Sequence, residues 1–340
     1  MKILIIGGTG TISSAVTRQL AAEGHELVLI NRGNRSEEVP QNVRLVTGDI
    51  NRYPEEVLSR LGNETFDSVC EFIGFMPEQV ARDIRWFSGR TKQYIFISSA
   101  SAYHKPVRQH IITEGTSLSN PYWEYSRNKT ACEEMLMKAY GQNGFPVTIV
   151  RPSYTYGERE APVSVHGSKG SWQVLKRMLD GKPVIVHGDG TSLWTMTWNE
   201  DFAKGFIGLI GNPQAIGEAF HITSDESLTW NQIYQCIADA LGVEFKPYHV
   251  ASEYLGAIAP AAYGMRGNLL GDKAASVVFD CSKLKRAVPG FCATTRFEQG
   301  IRKTVSHIME HPELQVEDKE FDEWCDRVVD ALENTRKLFR

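Results

Sequence analysis

Tyr125 and Lys129 stand four residues apart in Tyr-Ser-Arg-Asn-Lys, where a helical pattern begins and continues as TACEEMLMKAY. That spacing puts both side chains on one helix face. A tyrosine hydroxyl titrates near about pH 10, too high for acid–base work at neutrality. A neighbouring ammonium lowers it by favouring the phenolate. Ser99, at the end of Phe-Ile-Ser-Ser, adds a hydroxyl able to orient a substrate oxygen. Together these are the ingredients of proton transfer at a carbinol or ketone oxygen. Alone, a tyrosine and a lysine four apart describe any solvated helix face, so the reading depends on what positions them.

Short apolar runs at residues 2–6, 26–30, 43–46, 68–73, 93–97 and 146–150 alternate with helix-sized segments, the first at 14–23. Strand and helix alternating in this way specify an α/β fold with a doubly wound parallel sheet. Continuous apolar strands such as ILII and YIFI fit burial on both faces. Between the first strand and helix lies Gly7-Gly8-Thr9-Gly10-Thr11-Ile12-Ser13. Glycines there permit a tight turn and let backbone N–H groups approach a pyrophosphate at the helix N-terminus. Ser13 occupies the third glycine position of that pattern and is small enough to preserve close packing. This context marks a dinucleotide-binding turn involving Gly7, Gly10, Thr11 and Ile12.

The second strand ends at Asn31-Arg32-Gly33, without the acidic residue that usually binds an NAD ribose. Arg32 or Arg35 can pair with a 2′-phosphate through its guanidinium fork, which tilts the expectation toward NADP over NAD. Asn31 keeps the ability to hydrogen-bond a ribose hydroxyl. Asp49-Ile50, at the end of the third strand, is placed to meet an adenine.

After Arg151-Pro152 the rhythm changes. Residues 155–172 are rich in Gly, Ser and charge and read as a long loop of the lid or binding type. Short strands (184–187, 219–222) and a helix at 231–241 follow. The tail carries Phe321, Trp324, Cys325, Val328, Val329 and Leu332 at helical spacing, a stripe for core or oligomer packing. The expected division is a dinucleotide-binding (Rossmann) domain at 1–155 and a smaller α/β substrate lobe at 156–340, with some segments of the latter returning to the sheet.

The 340 residues carry 37 Lys+Arg and 41 Asp+Glu, a formal charge of -4, so nothing global draws the chain to nucleic acid or anionic membrane. The opening MKILIIGG reads as a strand entering a glycine turn, not as a signal peptide. No run approaches the roughly 20 apolar residues that span a bilayer. Six cysteines without a CxxC pair suggest neither a metal site nor a redox motif, and the expected location is cytoplasmic.

The glycine turn, Asp49-Ile50, Phe72-Ile73-Gly74, Ser99, Tyr125/Lys129 and Arg151-Pro152-Ser153 occur in an order that resembles the extended short-chain dehydrogenase/reductases, the NAD-dependent epimerase/dehydratase family. Gly188-Asp189-Gly190-Thr191 and Trp198-Asn199-Glu200-Asp201 resemble its later landmarks. The resemblance implies Tyr125 as general acid/base, Lys129 lowering its pKa and holding the nicotinamide ribose, and Ser99 assisting the substrate hydroxyl. It adds Phe72, Ile73, Gly74 and Ser153 to the cofactor contacts. It also implies a homodimer built from the Tyr125 helix and the preceding helix near 78–87.

Two departures narrow the function. Dehydratases of the family carry an Asp-Glu pair after the serine or threonine, where this chain has Ala100-Ser101, a pattern more like the epimerases. An arginine that clamps the substrate's nucleotide diphosphate is here Trp194, which cannot pair with phosphate. Lys169, Arg159 or Arg266 are candidate replacements. Phe279-Asp280-Cys281-Ser282-Lys283-Leu284-Lys285-Arg286 resembles a branch that includes chloroplast stem-loop RNA-binding proteins, but three basic residues give little support to RNA binding. The expected activity is redox chemistry on a sugar or sugar-nucleotide hydroxyl or ketone. Epimerisation is placed ahead of an NADP-dependent ketone or aldehyde reductase, and both ahead of a non-enzymatic dinucleotide-sensing or RNA-binding protein.

Overall fold

The computed structural model describes residues 1–35 and 39–339. Seven parallel strands form the central sheet: β1 (Lys2–Ile6), β2 (Glu26–Asn31), β3 (Val43–Thr47), β4 (Ser68–Glu71), β5 (Tyr94–Ile97), β6 (Val147–Pro152) and β7 (Glu218–Ile222). Their order is β7-β6-β5-β4-β1-β2-β3, so the chain starts in the middle, winds to one edge and then reverses. That reversal opens a crevice at the carboxyl ends of β1 and β4, where ligands of such sheets bind.

Both faces of the sheet are covered, as the unbroken apolar strands require. Ile3, Ile5, Leu27 and Leu29 pack with Val16 and Leu20 of α1 (Ser13–Ala22). Leu4, Ile6, Val28 and Ile30 point the other way, toward Val80 and Phe87 of α2 (Pro77–Phe87) and Cys132 and Leu136 of α3 (Glu124–Asn143). Each fully buried Leu or Ile contributes on the order of 1.5–3 kcal/mol. The chain returns to the sheet through α4 (Asn199–Leu209), whose Phe202 and Phe206 join the α1 side, and through β7 beside β6.

A second apolar core gathers Trp230, Tyr234 and Ile237 of α5 (Trp230–Leu241), Phe297 and Ile301 of α6 (Phe297–Glu310), and Phe321, Trp324 and Val328 of α7 (Lys319–Lys337). The tail stripe is therefore core: Phe321 and Trp324 stack on each other and meet Tyr263 edge-on. The segment expected as a lid belongs to the same core. Tyr154–Tyr156 forms a short strand beside Met196–Trp198, and Ala161, Val163 and Val165 are at most 1% exposed. Apolar residues alternate there with Ser164, whose N–H and that of Val165 donate to the Tyr234 hydroxyl, so the loop is anchored inside the protein.

Two strand ends differ from expectation for local reasons. β4 stops at Glu71 because that carboxylate accepts the Ile73 N–H at 2.6 Å and turns the chain. β6 runs on to Pro152, in register with His221 and Ile222 of β7. Arg151 there makes a forked contact with Glu133 of α3, at 2.9 and 2.5 Å, with both side chains buried. The Tyr103 hydroxyl bridges Arg151 to His221, tying the segment after β5 to β6 and β7.

Candidate active site

Gly7 has φ +85°, a conformation that favours glycine, and a Cβ there would lie 2.5 Å from Ile73 Cγ2. A Cβ at Gly8 would lie 2.0 Å from Leu29 Cδ1. The turn is held by Ser13, which donates to the Gly7 carbonyl at 2.6 Å and accepts the Gly10 N–H at 3.0 Å, while Thr17 donates to the Gly8 carbonyl at 2.8 Å. The serine in the third glycine position therefore braces the loop as well as packing.

Above the turn runs a groove of about 420 Å³. Gly7, Gly10, Asn31, Arg32, Asp49, Ile50 and Ile73 line it, together with Arg35 and Phe75. Asn31 Oδ1 accepts the Gly33 N–H at 2.9 Å, which leaves its buried Nδ2 without a partner at the groove wall. Asp49 accepts the N–H groups of Asn51 and Arg52 and so shapes the turn beneath the groove. Arg35 donates to the Thr9 carbonyl at 2.9 Å, and Arg32 is exposed on the rim. A glycine cradle at a helix start, with a spare buried amide donor and rim guanidinium groups, fits a dinucleotide. Thr11, Ile12, Phe72, Gly74 and Ser153, expected as cofactor contacts, do not line this groove; the Phe72 ring packs into the core against Phe206, with centroids 5.1 Å apart. Thr11 lies at the edge of a separate cavity that includes Arg159 and Lys169.

Beneath the groove is a buried polar cluster that the sequence reading missed. Arg82 holds the Ile50 carbonyl at 2.9 Å and Asn51 Oδ1 at 3.0 Å, and pairs with Asp83 at 2.7 Å. The Tyr94 hydroxyl donates to the other Asp83 oxygen. Burial and the Asp83 charge push the Glu71 carboxyl well above the ordinary carboxylate range. No motif announces this cluster, because its members lie on separate strands and helices.

A second cavity, of about 320 Å³, is lined by Ile12, Ser99, Tyr125, Ser153, Trp194 and Asp272, among others. The structure thus brings Ser99, Tyr125 and Ser153 into one cavity. Ser99 follows β5 and accepts the Ser101 N–H at 3.1 Å. A chain of hydroxyls leads from Ser126 to Ser101 at 2.8 Å and on to Ser99 at 2.9 Å. Ser101, where dehydratases of the family carry an acid, continues this chain instead.

Lys129 is 1% exposed and donates to the carbonyls of Gly74 and Ile97, each at 2.7 Å. Its ammonium lies 4.7 Å from the Phe75 ring centroid and 5.8 Å from that of Tyr125. Burial pushes its pKa down to about 8. Burial pushes the Tyr125 hydroxyl up to about 12; the Ser99 hydroxyl opposes this and the Asp272 charge adds to it. The expected lowering of Tyr125 is absent from the protein alone, because the cation is aimed at the Gly74 and Ile97 carbonyls.

Trp194 is 2% exposed, edge-on to Phe279, with its indole Nε1 lacking a partner. None of Lys169, Arg159 and Arg266 lines this cavity; Lys169 reaches the Glu317 carbonyl instead. The cations beside it are Lys105, 5.8 Å from the Trp194 ring centroid, and Lys273, which reaches Asn268 and faces the Tyr154 ring. His187 is structural: it bonds Ser164 Oγ and the Lys273 carbonyl, and burial pushes its pKa down to about 4. His166 bonds the carbonyl of its neighbour Gly167.

Among the described residues no helix is long and apolar enough to cross a membrane. In comparisons with known proteins, the NAD dependent epimerase/dehydratase family matches residues 3–223. The chain is 26% identical over 292 residues to 2'-dehydrokanamycin reductase of Streptomyces kanamyceticus, covering 86% of this chain and 80% of that protein. It is 28% identical over 256 residues to the chloroplast stem-loop binding protein of 41 kDa b of Arabidopsis thaliana, covering 71% of this chain and 63% of the other. The solved UDP-glucuronic acid 4-epimerase of Bacillus cereus superposes with a TM-score of 0.73 at 19% identity, over 91% of this chain and 99% of that one. A Rossmann sheet, a glycine cradle and the Ser99, Tyr125 and Lys129 arrangement thus coincide with a family match over most of the chain, which belongs to the NAD-dependent epimerase/dehydratase family.

Proposed function

We propose that the protein is an NAD(P)-dependent oxidoreductase that interconverts a hydroxyl and a ketone on a sugar ring, with Tyr125 moving the proton. The observation that carries this is the placement of Tyr125 and Ser99 in one cavity at the carboxyl end of the glycine-turn sheet. The nicotinamide, when bound, supplies or accepts the hydride. Gly7, Gly10, Asn31 and Ile73 hold the dinucleotide, Ile12 faces the adjoining Tyr125 cavity, and Lys129 anchors the ribose from the Gly74 and Ile97 carbonyls. Ser99 positions the substrate oxygen and is itself held by the Ser101 and Ser126 hydroxyls.

Net ketone reduction is the reading favoured by the site. An epimerase must hold its ketone while the ring turns over, and Trp194 removes the diphosphate clamp that would do so. The relative named as a reductase spans most of the chain. Epimerisation, favoured by the Ser99-Ala100 pattern, is the second reading. Dehydration has no carboxyl pair at Ala100-Ser101 to perform it.

Arg32 at the groove rim supports NADP as the cofactor. The six free cysteines suit a reducing compartment such as the cytoplasm. Helices α2 and α3, packed together, are our proposed dimer face. An RNA role is disfavoured because Lys283 pairs with Glu218 at 2.6 Å and Lys285 with Asp225 at 2.7 Å. The test is nicotinamide deuterated at C4. A reductase consumes the reduced cofactor in step with deuterated product over many turnovers; an epimerase passes on only the single deuteride of its bound cofactor; no transfer with any carbonyl sugar contradicts the proposal.

A further inference from the structure

Opposite Tyr125, the cavity wall is built by an unusual stretch of backbone. Leu269–Lys273 forms one π-helical turn, with the Ala274 N–H reaching the Leu269 carbonyl at 2.8 Å. Such turns recur at functional sites, where they re-aim a side chain. The turn is fixed from outside. Asn120 donates to both the Gly271 and the Ser101 carbonyl at 2.6 Å, which locks it to the Ser99 loop. Trp123 packs against Gly267 and Gly271, where any Cβ would come within 3 Å of it.

What this places in the cavity is Asp272, 8% exposed, with Oδ1 unpartnered and Oδ2 3.8 Å from the Lys273 ammonium. Lys105, 2% exposed, faces the Trp194 ring and feels the Asp272 charge, with no hydrogen-bond acceptor for its ammonium among the described residues. The indole N–H of Trp194 and the Thr155 hydroxyl are also buried and unpartnered, and both residues line the same cavity. Buried polar groups almost always find partners, so a cluster of orphans around one cavity calls for a ligand.

Their chemistry selects that ligand. An ammonium would satisfy Asp272 but meet the charges of Lys105 and Lys273. A phosphate or carboxylate would satisfy the lysines but meet Asp272. A hydroxyl both donates and accepts, so adjacent hydroxyls on a ring bridge the carboxylate and the N–H donors together. The aromatic walls of Trp123, Tyr154 and Trp194 suit the apolar faces of such a ring. At about 320 Å³ the cavity is near the lower end for ligand sites, sized for a ring without a nucleotide.

We propose that Asp272, Lys105 and Trp194 form the anchoring site for the non-reacting vicinal hydroxyls of a neutral sugar or cyclitol that carries no nucleotide diphosphate. The inference rests on the redox reading of Tyr125 and specifies its substrate class. The anchor replaces the diphosphate clamp and holds the ring against Tyr125 through the Asn120 link.

The test follows NAD(P)H formation at pH 9 with D-glucose and other free aldoses and myo-inositol, against UDP-glucose and UDP-glucuronate. Wild-type protein is expected to turn over at least one free ring and neither UDP-sugar. Asp272→Asn and, independently, Lys105→Met are expected to raise KM about ten-fold or more with kcat little changed, as expected for a lost charged hydrogen bond. Tyr125→Phe is expected to lose kcat instead, and NAD(P)H binding serves as the folding control. Turnover confined to UDP-sugars, or a KM for the free ring indifferent to both substitutions, would overturn the proposal. UDP-sugar turnover lost in Tyr125→Phe would leave the redox reading standing; no turnover in either class would remove both.

Discussion

The Lys129 ammonium is held 2.7 Å from the carbonyl of Gly74, which lies between Ile73 and Phe75 of the dinucleotide groove wall. Its charge is thereby committed to the groove floor, with the Tyr125 ring 5.8 Å away. With its pKa depressed to about 8, the ammonium is present below that pH and lost above it, whereas an unfolded lysine keeps its proton to about 10.4. Dinucleotide affinity should therefore weaken as pH rises through 8. The Lys129 contribution to stability moves the other way: between about 8 and 10.4 the unfolded chain binds more protons, so stability rises with pH. Titrating NAD(P) binding from pH 7 to 9.5 checks this, and Lys129→Met should flatten the dependence.

Ser13→Ala should loosen the glycine turn. The hydroxyl makes two hydrogen bonds, to the Gly7 carbonyl and from the Gly10 N–H, and removing it leaves both backbone groups unpaired. A loss of about 1–2 kcal/mol is expected, with dinucleotide affinity falling several-fold. Thermal unfolding with and without cofactor would read both effects.

The buried fork between Arg151 and Glu133 predicts a larger stability effect. Glu133→Ala strands the guanidinium among Tyr103, His221 and the Glu114 carbonyl. An uncompensated buried charge of this kind costs about 3–5 kcal/mol. Urea unfolding should show it, and combining Glu133→Leu with Arg151→Met should restore part of the loss.

The sheet was legible because its strands are unbroken apolar runs, which leave burial on two faces as the only outcome. Ser99 and Tyr125 were legible as chemistry and share a cavity. The orientation of Lys129 was not, since helical spacing says which face a side chain is on but not whether nearby carbonyls compete for it. The 155–172 segment misled because its glycines and charges concealed Ala161, Val163 and Val165, whose burial depends on the distant Tyr234. Asp272 gave no signal, because a π-helical turn shifts the side-chain register that periodicity assumes, and its partners Lys105 and Trp194 are remote in the chain.

Arg32 on the groove rim should select NADP. Arg35 is committed to the Thr9 carbonyl, which leaves Arg32, among the described residues that line the groove, as the guanidinium to meet a 2′-phosphate. Arg32→Ala should raise the KM for NADP about ten-fold and leave that for NAD unchanged. An unaltered NADP-to-NAD ratio in steady-state kinetics would contradict the assignment.

The most direct test of the central claim is to titrate the purified protein with NADH and NADPH, after denaturing a portion to identify any released nucleotide by mass spectrometry. The account predicts a nicotinamide dinucleotide, either carried through purification or bound on addition with NADPH preferred, and a protein without bound nucleotide that gains thermal stability on saturation. A protein that carries no dinucleotide and is stabilised by neither would contradict it, since the glycine cradle and the Tyr125 site would then have no hydride to share.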